Sequence, residues 1–243
     1  MADVHTTILR KLAKHSFLTG DDAFAVRTLS AQIRSVDSEE DLVRQGDMPQ
    51  MSIVILEGTL ARYHMLENGD KQYLSVHIAG DMPDTQGLFL RVMDHAVGAL
   101  DRSVVALIPH KDFLNLFLVR PSVAFAVWRE TLIDAAIFRQ AITNNAARSS
   151  IVRMAHFFCE HYYRSRAAGL GARGYCSLPM NQMQIGQTLG MSIVTANRTL
   201  RELRRAKRAH LYRGTLKVLN WEELAKIAQF DPSYLHMRNQ PTL

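Results

Sequence analysis

The sequence predicts an α+β chain in two parts, a first half built of strands and a helical, basic second half. Three observations predict it. Between residues 35 and 110, short apolar or alternating runs are divided by turn residues. From Ser122 to Ala168 there is neither a glycine nor a proline. The charge is also split: residues 1–147 carry 14 Lys+Arg against 18 Asp+Glu, a net of −4, and residues 148–243 carry 15 against 5, a net of +10. Such asymmetry marks two domains, one of which meets a polyanion.

The 243 residues, 47% apolar and 21% charged, allow one large or two small domains and exclude disorder. Apolar runs such as Ser52–Leu56 and Val104–Ile108 fall far short of the ~18 residues a membrane span needs. Met1 to Arg10 hold no basic region followed by an apolar one, so nothing suggests export and the expected home is the cytoplasm. Cys159 and Cys176 are too few for a disulfide framework and have none of the paired spacings of a zinc or iron–sulfur site, so no metal and no cofactor is expected.

In chain order, residues 5–34 read as one or two short helices, with Ile8, Leu9, Leu12 and Phe17 apolar and Asp21-Asp22 as a start signal before Ala23–Leu29. Turns then follow at Gln45-Gly46-Asp47, Glu57-Gly58, Glu67–Asp70 and Ala79-Gly80-Asp81. Asn68-Gly69, lying between Leu60–Leu66 and Lys71–Ile78, is a hairpin signal of the type I′ kind, because both residues tolerate positive φ. Regularly spaced short strands imply a sandwich or small barrel. After Pro109 the chain turns helical. A helix from Pro121 to about Asn145 would be roughly 35–40 Å long at 1.5 Å per residue. Its apolar residues Phe125, Trp128, Leu132, Ile133, Ile137 and Ala141 cover more than one face. One face suits the strand domain and another a second chain, although an ordinary core helix also fits. Ile151 to about Arg166 forms the next helix, and Gly169–Gly174 a loop.

From Leu178 the pattern is more specific. Asn181 can cap a helix with Gln184 reaching back, Ile185 and Leu189 form its buried stripe, Gly190 permits a sharp turn, and Ser192 caps the next helix, whose Ala196, Leu200 and Leu203 face the first. This is a helix-turn-helix. Its second helix has short side chains near the start and arginines toward the end, so the start can approach base edges while Arg residues reach phosphates. Two short strands about Arg213-Gly214 read as a β-wing, and Asn220 or its neighbour starts a helix with Leu224, Ala225 and Ile227.

The order of these parts, with Leu42–Asp47, Ile55–Leu60, Ala79-Gly80-Asp81, Gly87-Leu88-Phe89, Ile185–Ser192 and Asn197–Leu200, resembles the CRP/FNR superfamily of bacterial transcription regulators. The resemblance implies a jelly-roll, cyclic-nucleotide-binding-like sensor domain at 1–120, a dimerisation helix at 121–147 and a winged helix-turn-helix at 148–243. It further implies a homodimer on palindromic double-stranded DNA, and contact with RNA polymerase in an activator. Arg198 keeps the guanine-reading place, whereas Val194 stands where familiar members have a Glu that accepts from cytosine. Ser192 and Thr195 fall where phosphate contacts are expected, Ile193 and Asn197 beside bases or backbone, and Arg201 on phosphate; Asn181 completes the set.

The resemblance breaks at the effector pocket. In cAMP-binding members a Glu takes the ribose hydroxyl and an Arg-Ser pair follows for the cyclic phosphate. Here Asp84-Thr85-Gln86-Gly87 places Thr85 at the Glu, with Gln86 beside it, and His95 and Ala96 stand where Arg-Ser would be. A neutral His cannot supply the paired, charge-assisted bonds of Arg to phosphate. Either another small effector is read, which the sequence does not name, or the protein is effector-independent and controlled by its abundance. An oxygen-sensing cysteine cluster has no place, since residues 1–158 contain no Cys. Haem would have to be held by His64, His77, His95 or His110, which fit hydrogen-bonded or surface roles as well. Cys159 and Cys176 can be redox-active or inert. A metal-dependent enzyme on a related β-roll needs a His-x-His pair, and none occurs, so no enzyme activity is expected. Calorimetric titration with cAMP is expected to give no binding; micromolar affinity would overturn this reading of the pocket.

Overall fold

The computed structural model describes residues 3–243; Met1 and Ala2, with which the expected first domain begins, lie outside the described residues. The chain forms two compact units that divide between Asp134 and Ala135. Among the described residues no helix is long and apolar enough to cross a membrane.

The first unit opens with helices α1 (Val4–Ala13) and α2 (Gly20–Val26). Helix α2 starts one residue before the Asp21-Asp22 signal, because Thr19 and Asp22 close a reciprocal capping box. Seven antiparallel strands follow: β1 (Gln32–Val36), β2 (Asp41–Val43), β3 (Met51–Glu57), β4 (Thr59–Met65), β5 (Lys71–Ile78), β6 (Ala96–Ala99) and β7 (Ser103–Pro109). They make two sheets, β1-β7-β3 and β2-β6-β4-β5, a roll of the expected jelly-roll class. Strand β3 reads as an unbroken apolar run because both its faces are buried. Ile53 and Ile55 join Val36, Leu60, Val97 and Val105 in one core, while Val54 and Leu56 join a second core with Ile8 and Leu12 of α1. That second core also takes Phe113 and Leu116 of α3 (His110–Val119) and Val123, Ala126 and Val127 of α4 (Pro121–Ala147).

The β4–β5 hairpin is not of type I′. Only Gly69 has positive φ (84°), and Leu66 N–H donates to the Asp70 carbonyl (2.8 Å), leaving a loop of Glu67, Asn68 and Gly69. Asn68 instead spends its side chain on Asp70, accepting from its N–H at 3.1 Å and donating to its carboxylate at 2.8 Å. A left-handed glycine after a turn matches the strand twist as well as two left-handed residues do.

Helix α4 spans the expected 121–147, and its sides differ. Val123, Ala126 and Val127 are buried, whereas Phe125, Trp128 and Leu132 are at least half exposed, as is Ile142 (68%). Ile133 is buried within the chain, and Ile137 and Ala141 are half-buried. The inward side carries two carboxylates four residues apart. Glu130 receives Lys11 Nζ (2.9 Å) and the His15 ring, and Lys11 also reaches Asp81 at 2.8 Å. Asp134 receives Arg62 of β4.

The second unit is built on α5 (Ser150–Ala167). Around it lie β8 (Tyr175–Ser177), α6 (Gln182–Leu189), α7 (Ile193–Arg205), β9 (Ala209–Tyr212), β10 (Thr215–Val218), α8 (Trp221–Ala228) and a short 3-10 turn, Pro232–Leu235. Strand β8, which the sequence reading passed over, pairs with β10 and makes the wing a three-stranded sheet. His156, Tyr162, Tyr163, Trp221, Phe230 and Tyr234 stack in one aromatic cluster, and Tyr234 donates to Glu160 (2.8 Å).

Burial, and secondarily the Arg148 charge, hold the His156 imidazole down to about 4. The folded state therefore keeps it neutral while the unfolded chain protonates it near 6.5. The resulting stability is complete above pH 6.5 and is lost as pH falls toward 4, on the order of 3 kcal/mol in all. Denaturant melts of unaltered protein and His156→Gln should show a steeper decline over this window in the unaltered chain; parallel pH curves would refute it.

Candidate nucleic-acid interface

Local chemistry sets the two helices at their angle. Asn181 Oδ1 accepts from Gln184 N–H (2.9 Å) and Gln184 Oε1 from Asn181 N–H (2.8 Å), the reciprocal box that starts α6. Gly190 ends α6 at φ 60°, and Met191 N–H returns to the Gly186 carbonyl (2.9 Å). Ser192 Oγ then caps α7 by accepting from Thr195 N–H (3.2 Å). Ile185 and Leu189 of α6 are buried, as are Ala196 and Leu203 of α7. Leu200 is only half-buried; Thr199 takes the buried place, its hydroxyl donating to the Thr195 carbonyl (2.9 Å), which lets a polar side chain lie inside.

Two residues missed in the sequence secure the turn. Arg153 of α5 donates to the Leu189 carbonyl (3.0 Å), and Asn145 of α4 donates to that of Thr188 (3.2 Å). Both meet carbonyls left open at the C-terminal end of α6, where a cation is also favoured by the helix dipole. Periodicity alone does not mark such residues, since their partners lie more than thirty positions away.

With the inner face so occupied, α7 turns its other face outward. Ile193 and Val194 are 49% and 73% exposed at its start. Arg198 and Arg201 are exposed one and two turns on, while Thr195 and Asn197 are half-buried. Arg198, Arg201 and Arg205 line an open concavity of about 520 Å³ with Glu202 and Ala206. Asn181 and Ser192 are exposed, but their side-chain oxygens serve the caps. The wing turn has positive φ at both Arg213 (46°) and Gly214 (73°), the type I′ geometry, and Arg213 lies over the Tyr212 ring at 5.3 Å. Short apolar side chains at a helix start, arginines along one side and a basic wing suit a helix inserted in a DNA groove.

Of the four residues of the expected effector pocket, Gln86 and His95 meet, and a fifth residue, Arg62, reaches Gln86. Thr85 Oγ1 donates to the Met82 carbonyl (2.8 Å), and Ala96 is buried at the start of β6. Gln86 Nε2 meets His95 Nε2 (2.9 Å), while His95 Nδ1 meets the Asp94 carboxylate (2.7 Å). A donating amide on one ring nitrogen leaves the other to carry the proton, and burial followed by the Arg62 charge pushes the imidazole pKa down, so His95 is neutral. The residue that the sequence reading missed is Arg62, 3% exposed, its Nε on the Pro83 carbonyl (2.6 Å), Nη2 on Gln86 Oε1 (3.4 Å) and Nη1 on Asp134. Its one sequence signal was a charge inside an apolar strand. Asp84, nearby, also feels the Arg62 charge, which opposes the effect of burial on its carboxyl. Its carboxyl is buried, accepts from Ile53 N–H (2.8 Å), and burial raises it to about 7.

The other candidate groups have structural surroundings. His64 meets the Asp94 carbonyl (3.0 Å), His77 meets Ser75 (2.7 Å), and the His110 ring bonds the Met51 backbone. Among the described residues no three His, Cys, Asp or Glu are grouped as metal ligands. Cys159 and Cys176 are buried and burial raises both thiols, Cys176 to about 12, which keeps them protonated and weakly nucleophilic.

Two family models match the chain, a cyclic nucleotide-binding domain over residues 33–119 and a Crp-like helix-turn-helix domain over 152–227. The fumarate and nitrate reduction regulatory protein of Vibrio cholerae is 23% identical over 195 residues, 80% of this chain and 78% of that protein. A probable transcriptional regulator, flp, of Lacticaseibacillus casei is 28% identical, covering 72% of this chain and 78% of its own. Among solved structures, FixK2 of Bradyrhizobium japonicum superposes with a TM-score of 0.74 at 21% identity, over 82% of this chain and 98% of that one. The fold and site thus define a two-domain transcription regulator, a nucleotide-binding-type β-roll followed by a helix-turn-helix, and not an enzyme. The chain carries a domain of the cyclic nucleotide-binding family and one of the Crp-like helix-turn-helix family, and the curated proteins it resembles are regulators of the CRP/FNR type.

A methyl group at Gly186 would lie 2.7 Å from the Met191 carbonyl oxygen, backbone that cannot yield without opening the turn, whereas at Gly190 the nearest atom is an Arg153 nitrogen at 3.9 Å. Gly190→Ala should cost about 1 kcal/mol for its left-handed backbone, and Gly186→Ala more. Equal losses in urea melts would contradict this account of the turn.

Proposed function

We propose that this protein regulates transcription in the cytoplasm by binding a palindromic DNA site as a homodimer, one α7 helix entering each of two major grooves, and that its β-roll pocket is not suited to cAMP. The observation that carries the reading is the outward face of α7, where Ile193 and Val194 lead and Arg198, Arg201 and Arg205 follow. Dimerisation is supported by the exposed residues of α4. Phe125, Trp128, Leu132, Ala135, Arg139 and Ile142 recur at alternating steps of three and four, the spacing of a two-helix seam. Four of them are large apolar side chains at least half exposed.

Each α7 residue then has a distinct part. Arg198 reads guanine with two parallel bonds, Val194 packs on a thymine methyl, and Ile193 and Asn197 lie beside base or backbone. Arg201 and Thr195 meet phosphates, and Asn181 and Ser192 hold their helix starts against the backbone by capping. RNA polymerase is the further partner when the protein activates. The pocket disfavours a cyclic phosphate because Thr85, Gln86, His95 and Ala96 supply no cation, and the Arg62 that reaches Gln86 is already matched by Asp134.

Selection from random-sequence DNA should return an inverted repeat whose half-site departs from that of cAMP-responsive members at the base facing Val194. Against that site, Arg198→Ala should lose about 1–3 kcal/mol and tolerate substitution at the guanine. Arg201→Ala should weaken all sequences alike and reduce the log–log salt slope by about 1. No enrichment of any sequence, or binding as a monomer, would refute the proposal.

A further inference from the structure

Arg62 is a cation in an unusual place. It lies two residues along β4 from Leu60, which packs in the core between the sheets, and the Arg62 side chain is only 4% exposed. Its guanidinium meets three groups among its partners. Two belong to the segment around the 3-10 turn Thr85–Leu88, the Pro83 carbonyl and Gln86 Oε1; the third is the Asp134 carboxylate, on the long helix. Gln86 in turn holds His95, so both arms of the pocket, residues 83–88 and 94–96, connect to one guanidinium. Asp84, the acidic neighbour, accepts Ile53 N–H on Oδ1 and also feels the Arg62 charge, but the carboxylate that receives the guanidinium directly is that of Asp134.

This pairing has the chemistry of a ligand site already filled. A buried arginine flanked by an amide and a neutral imidazole would accept an anion with two oxygens, and a carboxylate is such an anion. Here the chain supplies it from α4, one turn past Glu130, where Lys11 and His15 make the previous anchor. The residues directly after Asp134 lead into the second unit. What sits on Arg62 therefore holds the last turn of α4 that belongs to the strand unit.

We infer that Asp134 is the built-in ligand of this pocket: its carboxylate takes on Arg62 the place of an anionic effector, fixes α4 to the roll, and makes DNA binding independent of any small anion. This rests on the reading of the chain as a DNA-binding regulator, but the occupancy of Arg62 is testable without DNA.

The test uses full-length protein, the DNA site that the unaltered chain selects, and the variants Asp134→Asn and Asp134→Ala. Nucleotide-free unaltered protein should bind at full affinity, and cAMP or inorganic phosphate should change its Kd less than about twofold. Both variants should bind about tenfold more weakly, within the range of ordinary coupling between sites. For Asp134→Ala, sodium acetate should restore most of the loss where sodium chloride of equal ionic strength does not. Calorimetry should detect acetate binding to Asp134→Ala and none to the unaltered chain, a readout that survives even if no DNA site is found. Should both variants fail to fold by circular dichroism, the double variant Arg62→Met with Asp134→Leu, which replaces the pair by apolar groups, should fold and still bind DNA about tenfold more weakly. Variants that bind DNA like the unaltered protein, acetate without effect, or a tenfold gain from cAMP or phosphate in the unaltered chain would each overturn the inference.

Discussion

A cation taken out of water must meet a carboxylate, because its desolvation otherwise costs several kcal/mol. In the first unit this requirement fastens the long helix to the strands. Lys11 and His15 converge on Glu130, and Arg62 on Asp134, one helical turn apart on α4. Before them on the helix, Val123, Ala126 and Val127 bury apolar area in the same core as α1 and α3. The apolar contacts supply most of the attachment energy, and the ion pairs set its rotation, since a helix turned by one residue would leave charges buried without partners. With that rotation set, Phe125, Trp128 and Leu132 have no option but to face outward.

The second unit solves a related problem with backbone groups. The C-terminal end of α6 exposes carbonyls at a sharp turn, and side chains from α4 and α5 satisfy them through Asn145 and Arg153. The α6–α7 pair is thereby rigid before anything binds to it, and α7 keeps its charge for a partner. Among the described residues neither Arg198 nor Arg201 forms an ion pair, and with Arg205 they line an open concavity. Positive charge left unneutralised at a surface is what attracts a polyanion, with an affinity that falls steeply as salt rises.

Legibility followed the range of the interactions. The Asn181–Gln184 box, the left-handed Gly190 and the Ser192 cap each involve residues at most three apart and were readable as they stand. The exchange of Leu200 for Thr199 was not, because a threonine becomes a core residue only when its hydroxyl finds a carbonyl in its own helix. Nor was the β4–β5 turn, where Asn68 chose side-chain bonds to Asp70 over a left-handed backbone. The Gln86–His95 contact joins residues nine apart, whereas Arg62 and Asp134, 72 residues apart, were not legible as a pair.

Sequence by itself determined the division into an acidic and a basic half, the strand and helix classes, and the helix-turn-helix with its wing, all of which follow from composition, periodicity and capping within a few residues. Tertiary structure decided which face of α4 is inward, which groups pin the α6–α7 turn, and that the roll's arginine already has a carboxylate. Those outcomes depend on which distant residues share a burial site. A charge or an open carbonyl finds its partner there only once the chain has folded, and no local pattern records the meeting.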